Sequence, residues 1–146
     1  MKHHAFKYLA LSFVLTLAAG NTSVSAGEPA TILGSWRTDT GSAIIDISFC
    51  EPTRPCGKIT WVDPNGASVV DRNNPDDSLK DRPLIGVMML WGFKAKGNKW
   101  KGGKIYNPQD GKTYSSKVSL NDDRTLKVKG CVGPICKTQI WTRVEP

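Results

Sequence analysis

The segment Thr113-Tyr114-Ser115-Ser116-Lys117-Val118-Ser119-Leu120, followed across Asn121-Asp122-Asp123-Arg124 by Thr125-Leu126-Lys127-Val128-Lys129, decides the fold class. Tyr114, Ser116, Val118 and Leu120 share one side of an extended chain, and Thr113, Ser115, Lys117 and Ser119 share the other. Leu126 and Val128 oppose Thr125, Lys127 and Lys129 in the same way. A period of two marks a strand with one buried and one wet face. The polar break between the segments, with Asp122 beside Asp123, has hairpin length, so the strands are expected to be antiparallel neighbours.

The same pattern recurs upstream, where Ile45, Ile47 and Phe49 oppose Ile44, Asp46 and Ser48. Segments rich in β-branched and aromatic residues, separated by Gly, Pro, Asn and Asp, give eight candidate strands over 33–39, 42–49, 57–62, 84–93, 99–106, 113–120, 125–130 and 137–144. Such strands lose their exposed edges most completely when the last pairs with the first. The expected fold is therefore all-β, an eight-stranded antiparallel up-and-down barrel, with a two-sheet sandwich as the alternative.

Residues 63–83 are too long for a hairpin loop, and Asn74-Pro75-Asp76-Asp77-Ser78-Leu79 predicts a short helix there. Asn74 can cap it, Pro75 suits its first position, and the two acids sit at the positive end of its dipole. Pro83 disfavours helix at Arg82. The next segment is apolar on both sides, with Val87, Met89 and Trp91 opposing Met88 and Leu90, so the 63–83 insertion is expected to cover it as a lid.

With 146 residues, 20 Lys+Arg and 13 Asp+Glu, the chain has the size of one soluble domain. Residues 1–26 pass from Met1-Lys2-His3-His4 through an apolar run at 9–19 to Val24-Ser25-Ala26, the pattern of a cleaved signal peptide. An uncleaved anchor is the alternative, but the run falls short of the ~20 residues that span a bilayer. The expected division is a leader at 1–26 and a single barrel domain at 27–146, exported to a bacterial periplasm or secreted, with no transmembrane span. The domain is long enough to bury roughly two-thirds of its unfolded surface.

Both histidines, His3 and His4, lie in the leader. The remaining chain therefore has no imidazole for Ser-His-Asp or Cys-His catalysis or for histidine metal ligation. Loss of Lys2 and Lys7 leaves 18 basic and 13 acidic residues, net +5, a balance that favours anionic partners. Nucleic acid is not an expected partner outside the cytoplasm.

The cysteines fall into two groups, Cys50 with Cys56 and Cys131 with Cys136. Three connectivities are open. Turn chemistry in 51–55 and 132–135 favours the two local disulfides, each contributing about 2 kcal/mol as a pin on a hairpin tip. In an up-and-down barrel those tips lie at opposite ends. A four-cysteine zinc site lacks the usual C-x2-C spacing.

No cofactor or metal is expected. The loop from Asp71 departs from an EF-hand at Pro75, Asp76 and Arg82, and 97–104 misses the phosphate-loop pattern because Gly103 stands at the Lys position. The adjacent acids Asp76/Asp77 and Asp122/Asp123 do not themselves make a facing catalytic pair. Lys94, Lys96, Lys99, Lys101 and Lys104, interleaved with Phe93 and Trp100, read as a solvated strand face, with a stripe for an anionic polymer as the alternative.

Gly34-Ser35-Trp36 resembles the Gly-x-Trp of lipocalins within the calycin group of barrels. That resemblance implies a basic side chain from the barrel's end stacked on Trp36, and Arg143 is the candidate. More broadly, Gly57-Lys58-Ile59-Thr60-Trp61, Asn73-Asn74-Pro75-Asp76, Arg82-Pro83-Leu84-Ile85-Gly86, Trp100-Lys101-Gly102-Gly103-Lys104-Ile105-Tyr106, 108–114 and Thr138-Gln139-Ile140-Trp141 resemble the bacterial secreted domain-of-unknown-function family 2147. The resemblance implies an exported lipocalin-like barrel but transfers no activity. The family often carries cysteine where this chain has Ile85, a departure that favours the Cys50–Cys56 bridge.

The expected function is non-enzymatic burial of a small hydrophobic or amphipathic ligand in the cell envelope. Trp61, Met88, Met89, Trp91 and Tyr114 are the candidate lining residues, and Tyr106 or Asn74 would orient a polar head. Met88 and Met89 cannot both point inward on a regular strand. The rival is a filled barrel that contacts an anionic envelope component or a protein through its basic face or the 63–83 lid; a histidine-free hydrolase is the third reading. Mild reduction is expected to lower the melting temperature while leaving the β circular dichroism in place, because the disulfides only pin hairpin tips; loss of the β signal would refute that role.

Overall fold

The computed structural model describes residues 31–145. The expected leader at 1–26 lies outside them. Among the described residues the strands are β1 (Gly34–Arg37), β2 (Ala43–Glu51), β3 (Arg54–Val62), β4 (Met88–Trp91), β5 (Lys94–Lys96), β6 (Lys99–Asn107), β7 (Lys112–Leu120), β8 (Thr125–Val132) and β9 (Ile135–Arg143). Pairing is antiparallel throughout; β4 pairs with both β3 and β6, and β9 with β1. Both β4 and β5 lie along β6, so they act as one stave interrupted at Gly92-Phe93. The result is a closed eight-stave up-and-down barrel.

Closure rests on a short seam, Trp36↔Arg143 and Arg37↔Thr142. The Arg143 guanidinium lies 4.1 Å from the Trp36 ring centroid. It also donates from Nη1 to Leu33 O at 3.0 Å, from Nε to Asp123 O at 2.8 Å, and from Nη2 to Thr31 O. Gly34 makes room: a Cβ there would sit 3.1 Å from Arg143 Nη1, on a backbone with φ of 109°. Trp36 is fully buried and its indole donates to Ile32 O at 2.8 Å.

One end of the barrel is filled. Trp36, Ile45, Ile47, Leu90, Phe93, Val118, Leu126 and Trp141 are buried in it. Phe93, read from the sequence as part of the basic stripe, instead enters the interior and lies against Gly103, where a Cβ would come within 2.4 Å of its ring. The stripe's Lys94, Lys96, Lys99 and Lys104 are exposed, and Trp100 is half-buried edge-on to Phe49, with ring centroids 6.5 Å apart. Phe49 keeps the inward parity of Ile45 and Ile47 but is 51% exposed, because it lies beside the hairpin tip that the Cys50–Cys56 disulfide closes. The Cys131–Cys136 disulfide closes the β8–β9 hairpin at the opposite end.

The predicted helix is reduced to a 3-10 turn, Asp77–Leu79, capped by Asp76 rather than Asn74. Asn74 is buried, with its amide nitrogen directed to Asp71 and Tyr106, and three residues are too few for an α-helical turn to propagate. The segment 84–87 is a turn, with Val87 N donating to Leu84 O at 3.0 Å, and only Met88–Trp91 is strand. Arg143→Ala is expected to lower unfolding stability by about 2–3 kcal/mol, and Arg143→Lys to recover only part of it, because the lost fork spans several carbonyls as well as the ring. Chemical denaturation of the three proteins measures this; equal stability of Arg143→Ala and the parent would exclude the seam role.

Candidate functional site

The other half of the barrel is open. Ile59, Met89, Ile105 and Val128 form its apolar floor, and Ala43, Val62, Leu84, Tyr114 and Gly130 rise from them to line a cavity of about 780 Å³. The mouth carries Thr38, Asp39, Asp63, Arg72, Asn73, Asp110 and Lys137, together with Val132 and Ile135 of the β8–β9 hairpin. Tyr114 pairs across from Ile105, and its hydroxyl donates to Asp110 Oδ2 at 2.6 Å. Partial desolvation pushes the pKa of the exposed Asp110 up, but hydrogen bonds with Tyr114, the Lys112 amide and Asn107 outweigh it and hold the carboxyl below the usual range.

Two irregularities decide which side chains face this space. Ile44 pairs with Trp61 but Ile45 pairs with Ile59, so Thr60 is an extra residue in β3. The bulge turns Trp61 outward, where Arg37 stacks at 5.0 Å from its ring centroid, and brings Val62 inward. Gly57 pairs with Leu90 and Lys58 with Met88, which makes Met89 the extra residue in β4. Met89 and Leu90 therefore both point inward, while Met88 and Trp91 are half-buried on the outer wall. Of the candidate lining residues, Met89 and Tyr114 reach the cavity; Trp61, Met88 and Trp91 do not.

Tyr106 and Asn74 are not among the residues that line the cavity either. Tyr106 alternates with the inward Ile105, so it lies on the outer wall beneath the 63–87 connection. There its hydroxyl donates to Asp71 Oδ1 at 2.5 Å, while Asn74 Nδ2 and Arg82 Nη2 each donate to Asp71 Oδ2 at 2.7 Å. Asp71 has no exposed surface. Its burial raises the pKa, but the hydrogen bonds of Tyr106, Asn74 and Arg82, with the Arg82 charge, hold it below the ordinary range. Burial and the Asp71 acceptor push the Tyr106 phenol up to about 12.

This polar knot ties the connection to β6. Asn73 adds a clamp to the β6–β7 turn, donating to Pro108 O at 3.3 Å and Gln109 O at 2.9 Å. Gly111 has φ of 69°, and a Cβ there would fall 1.8 Å from Asn73 O, so only glycine permits this approach. The connection thus stands at the mouth and over Tyr106 on the outer wall. Asn73 and Arg82 lie in stretches that carry the family resemblance, and Asp71 opens the loop that departs from an EF-hand, but sequence reasoning gave none of the three a role in holding the connection. Among the described residues no group of three or more His, Cys, Asp or Glu is placed to hold a metal ion. Among the same residues no helix is long and apolar enough to cross a membrane.

A closed eight-stave barrel with a packed base, a Gly-x-Trp seam stacked by a terminal arginine and an apolar cup is a lipocalin-like architecture. The chain belongs to the bacterial family described as "Uncharacterized protein conserved in bacteria (DUF2147)", whose model matches residues 34–143. A solved structure, protein HP1028 from the human pathogen Helicobacter pylori, described as belonging to the lipocalin family, is similar with a TM-score of 0.69 and 25% identity, over 80% of this chain and 85% of that one. No curated protein matches the sequence.

Linkage gives the knot a pH window. A depressed Asp71 pKa contributes stability that is full above the unfolded value of 3.8 and is lost as pH falls through the folded value. The raised Tyr106 pKa contributes stability that is full below 10.0 and is lost as pH rises toward about 12. Tyr106→Phe is expected to lower stability by about 1–3 kcal/mol at neutral pH, with the gap to the parent narrowing below the ordinary carboxylate range. Urea denaturation from pH 7 to 3 checks this; a constant gap would remove the Asp71 carboxylate as its partner.

Proposed function

We propose that the protein is an exported, non-enzymatic carrier of a small hydrophobic or amphipathic molecule in the bacterial cell envelope. The observation that carries this reading is the apolar cavity of about 780 Å³, open at one end of a barrel packed at the other. Its size lies within the range of about 300–1,000 Å³ in which small-molecule sites fall. Aliphatic side chains form the floor and polar groups collect at the rim, an order that suits an apolar body held inside with a polar head at the mouth. The lipocalin-family description of the similar barrel supports the same reading.

Export is supported by the leader-like residues 1–26 and by the two disulfides, which belong to an oxidising compartment. A non-enzymatic role is supported by the absence of histidine from residues 27–146 and by the position of the rim carboxylate Asp110, which is engaged by Tyr114. The rival reading, a barrel filled throughout and acting only by its surface, would need the upper half packed.

Native mass spectrometry of the full-length gene product recovered from the periplasm is expected to show the mass of residues 27–146 with an adduct released on denaturation. Gly130→Leu provides the control. A Cβ at Gly130 meets Ile105 Cγ2 at an ordinary 3.5 Å, so the larger side chain can enter the cavity without breaking the wall. It is expected to abolish the adduct and uptake from an envelope-lipid extract while the β spectrum persists. An apo mass with no uptake by the parent would overturn the carrier reading.

A further inference from the structure

The β8–β9 hairpin ends in an apolar tip that the barrel does not use for packing. Val132 is 66% and Ile135 78% exposed, they pair with each other across the hairpin, and both stand at the cavity mouth. Between them lies only Gly133-Pro134, and the Cys131–Cys136 disulfide closes the loop immediately behind. A tip held in this way presents two aliphatic side chains without paying for the ordering of a loop.

Charge on the hairpin near its tip is of one sign. Lys129 and Lys137 flank the tip with no acid on either strand between Thr125 and Arg143, Lys127 stands farther down the wall, and the neighbouring β7 adds Lys112 at the mouth and Lys117 on the wall. At about 3.3 Å per strand residue, Lys129 and Lys137 lie within roughly 10 Å of the tip, about one Debye length. The acids of the mouth, Asp39, Asp63 and Asp110, belong to other turns. The rim is therefore apolar and basic at the β8–β9 hairpin itself, with Asp110 of the β6–β7 turn, engaged by Tyr114, and Asp39 of the β1–β2 turn to either side, and Arg72 and Asp63 across the mouth.

We propose that this hairpin docks the open end of the barrel, tilted onto its β7–β9 side, on an anionic lipid bilayer, with Val132 and Ile135 entering the headgroup boundary. Two aliphatic side chains are far too small a patch for a stable protein interface, which needs about 800 Å² from each partner. They suit shallow insertion, where apolar burial and attraction of lysines to acidic headgroups act together. Docking on that side brings the mouth to the lipid, so a ligand can pass between bilayer and cavity without crossing open water. The proposal rests on the carrier reading for this purpose, but the docking itself does not require a loaded cavity.

The test is flotation of the periplasmically recovered protein with vesicles containing phosphatidylglycerol, against vesicles of phosphatidylcholine alone. Binding to the anionic vesicles is expected, weakening as salt is raised. The double variant Val132→Asp/Ile135→Asp is expected to lower the bound fraction about tenfold or more with an unchanged melting temperature, since both side chains are exposed. Lys129→Glu/Lys137→Glu is expected to weaken binding and flatten its salt dependence, whereas Gly130→Leu is expected to bind as the parent does. Failure of the parent to bind anionic vesicles, or parent-like binding by the double aspartate variant, overturns the docking. A parent that takes up lipid extract yet ignores vesicles overturns docking and leaves the carrier reading intact; one that docks without ever loading does the reverse.

Discussion

The fold depends on a seam between strands of unequal length. An up-and-down sheet is free of edges only when its first and last strands meet, and here β1 has four residues while β9 has nine. Their pairing covers Trp36↔Arg143 and Arg37↔Thr142, at the packed end. So short a ladder needs support, and it comes from side chains: a buried Trp36 on the inside, and an Arg143 fork that stacks on it and gathers carbonyls from two chain segments. The same shortness shapes the other end. Beyond Arg37 the chain turns away through Thr38 and Asp39, so the upper part of β9, with Lys137 and Gln139, borders the cavity mouth. Closure below and opening above are consequences of where β1 stops.

Alternation of side chains was a sound guide wherever the ladders are regular. On β8, Leu126 and Val128 are buried and on β7 Ser116 and Val118 are, as the period-two pattern implies. The guide failed where one strand carries an extra residue. Thr60 turns Trp61 out and Val62 in; Met89 breaks the conflict between the two methionines by letting Met89 and Leu90 share the interior. A single extra residue reverses the facing of everything beyond it, and nothing in a stretch such as Ile59-Thr60-Trp61-Val62 marks which residue is unpaired until the partner strand is known. The barrel was therefore legible in the sequence, as were the ends on which the disulfides fall, and the resemblance to lipocalins supplied the closure pair, whereas of the five candidate lining residues only Met89 and Tyr114 reach the cavity.

The polar knot was hidden for a different reason. Tyr106 and Asp71 are 35 residues apart, and Asp71 has three kinds of donor drawn from two elements. Local propensity assigned Asn74 to a helix cap because Asn before Pro is good capping chemistry. Asn74 keeps a local bond, its Oδ1 accepting from Asp76 N at 2.9 Å, while its Nδ2 serves the buried carboxylate, which left unpaired would cost several kcal/mol. Asp76 takes the cap instead, accepting from Ser78 N at 2.9 Å. The connection at the mouth is thus held by its outer side, through Asp71, Asn73 and Asn74, and presents its other side to the cavity.

That division bears on how the cup can work. Trp36, Trp141, Phe93 and Leu126 pack the base whether or not anything lies above them, and the Asp71 knot holds the connection from outside the barrel. Neither depends on the residues that line the cavity, so occupancy need not be coupled to folding of the whole domain. A ligand that binds only the folded protein still stabilises it by mass action, by about 2.7 kcal/mol at a hundredfold excess over its dissociation constant. The increment should appear chiefly in the parts that bound the mouth, the 63–87 connection and the β8–β9 hairpin, because the base is already closed. The packed end and the open cavity are separated along the barrel axis, with Ile59, Met89, Ile105 and Val128 as the floor between them.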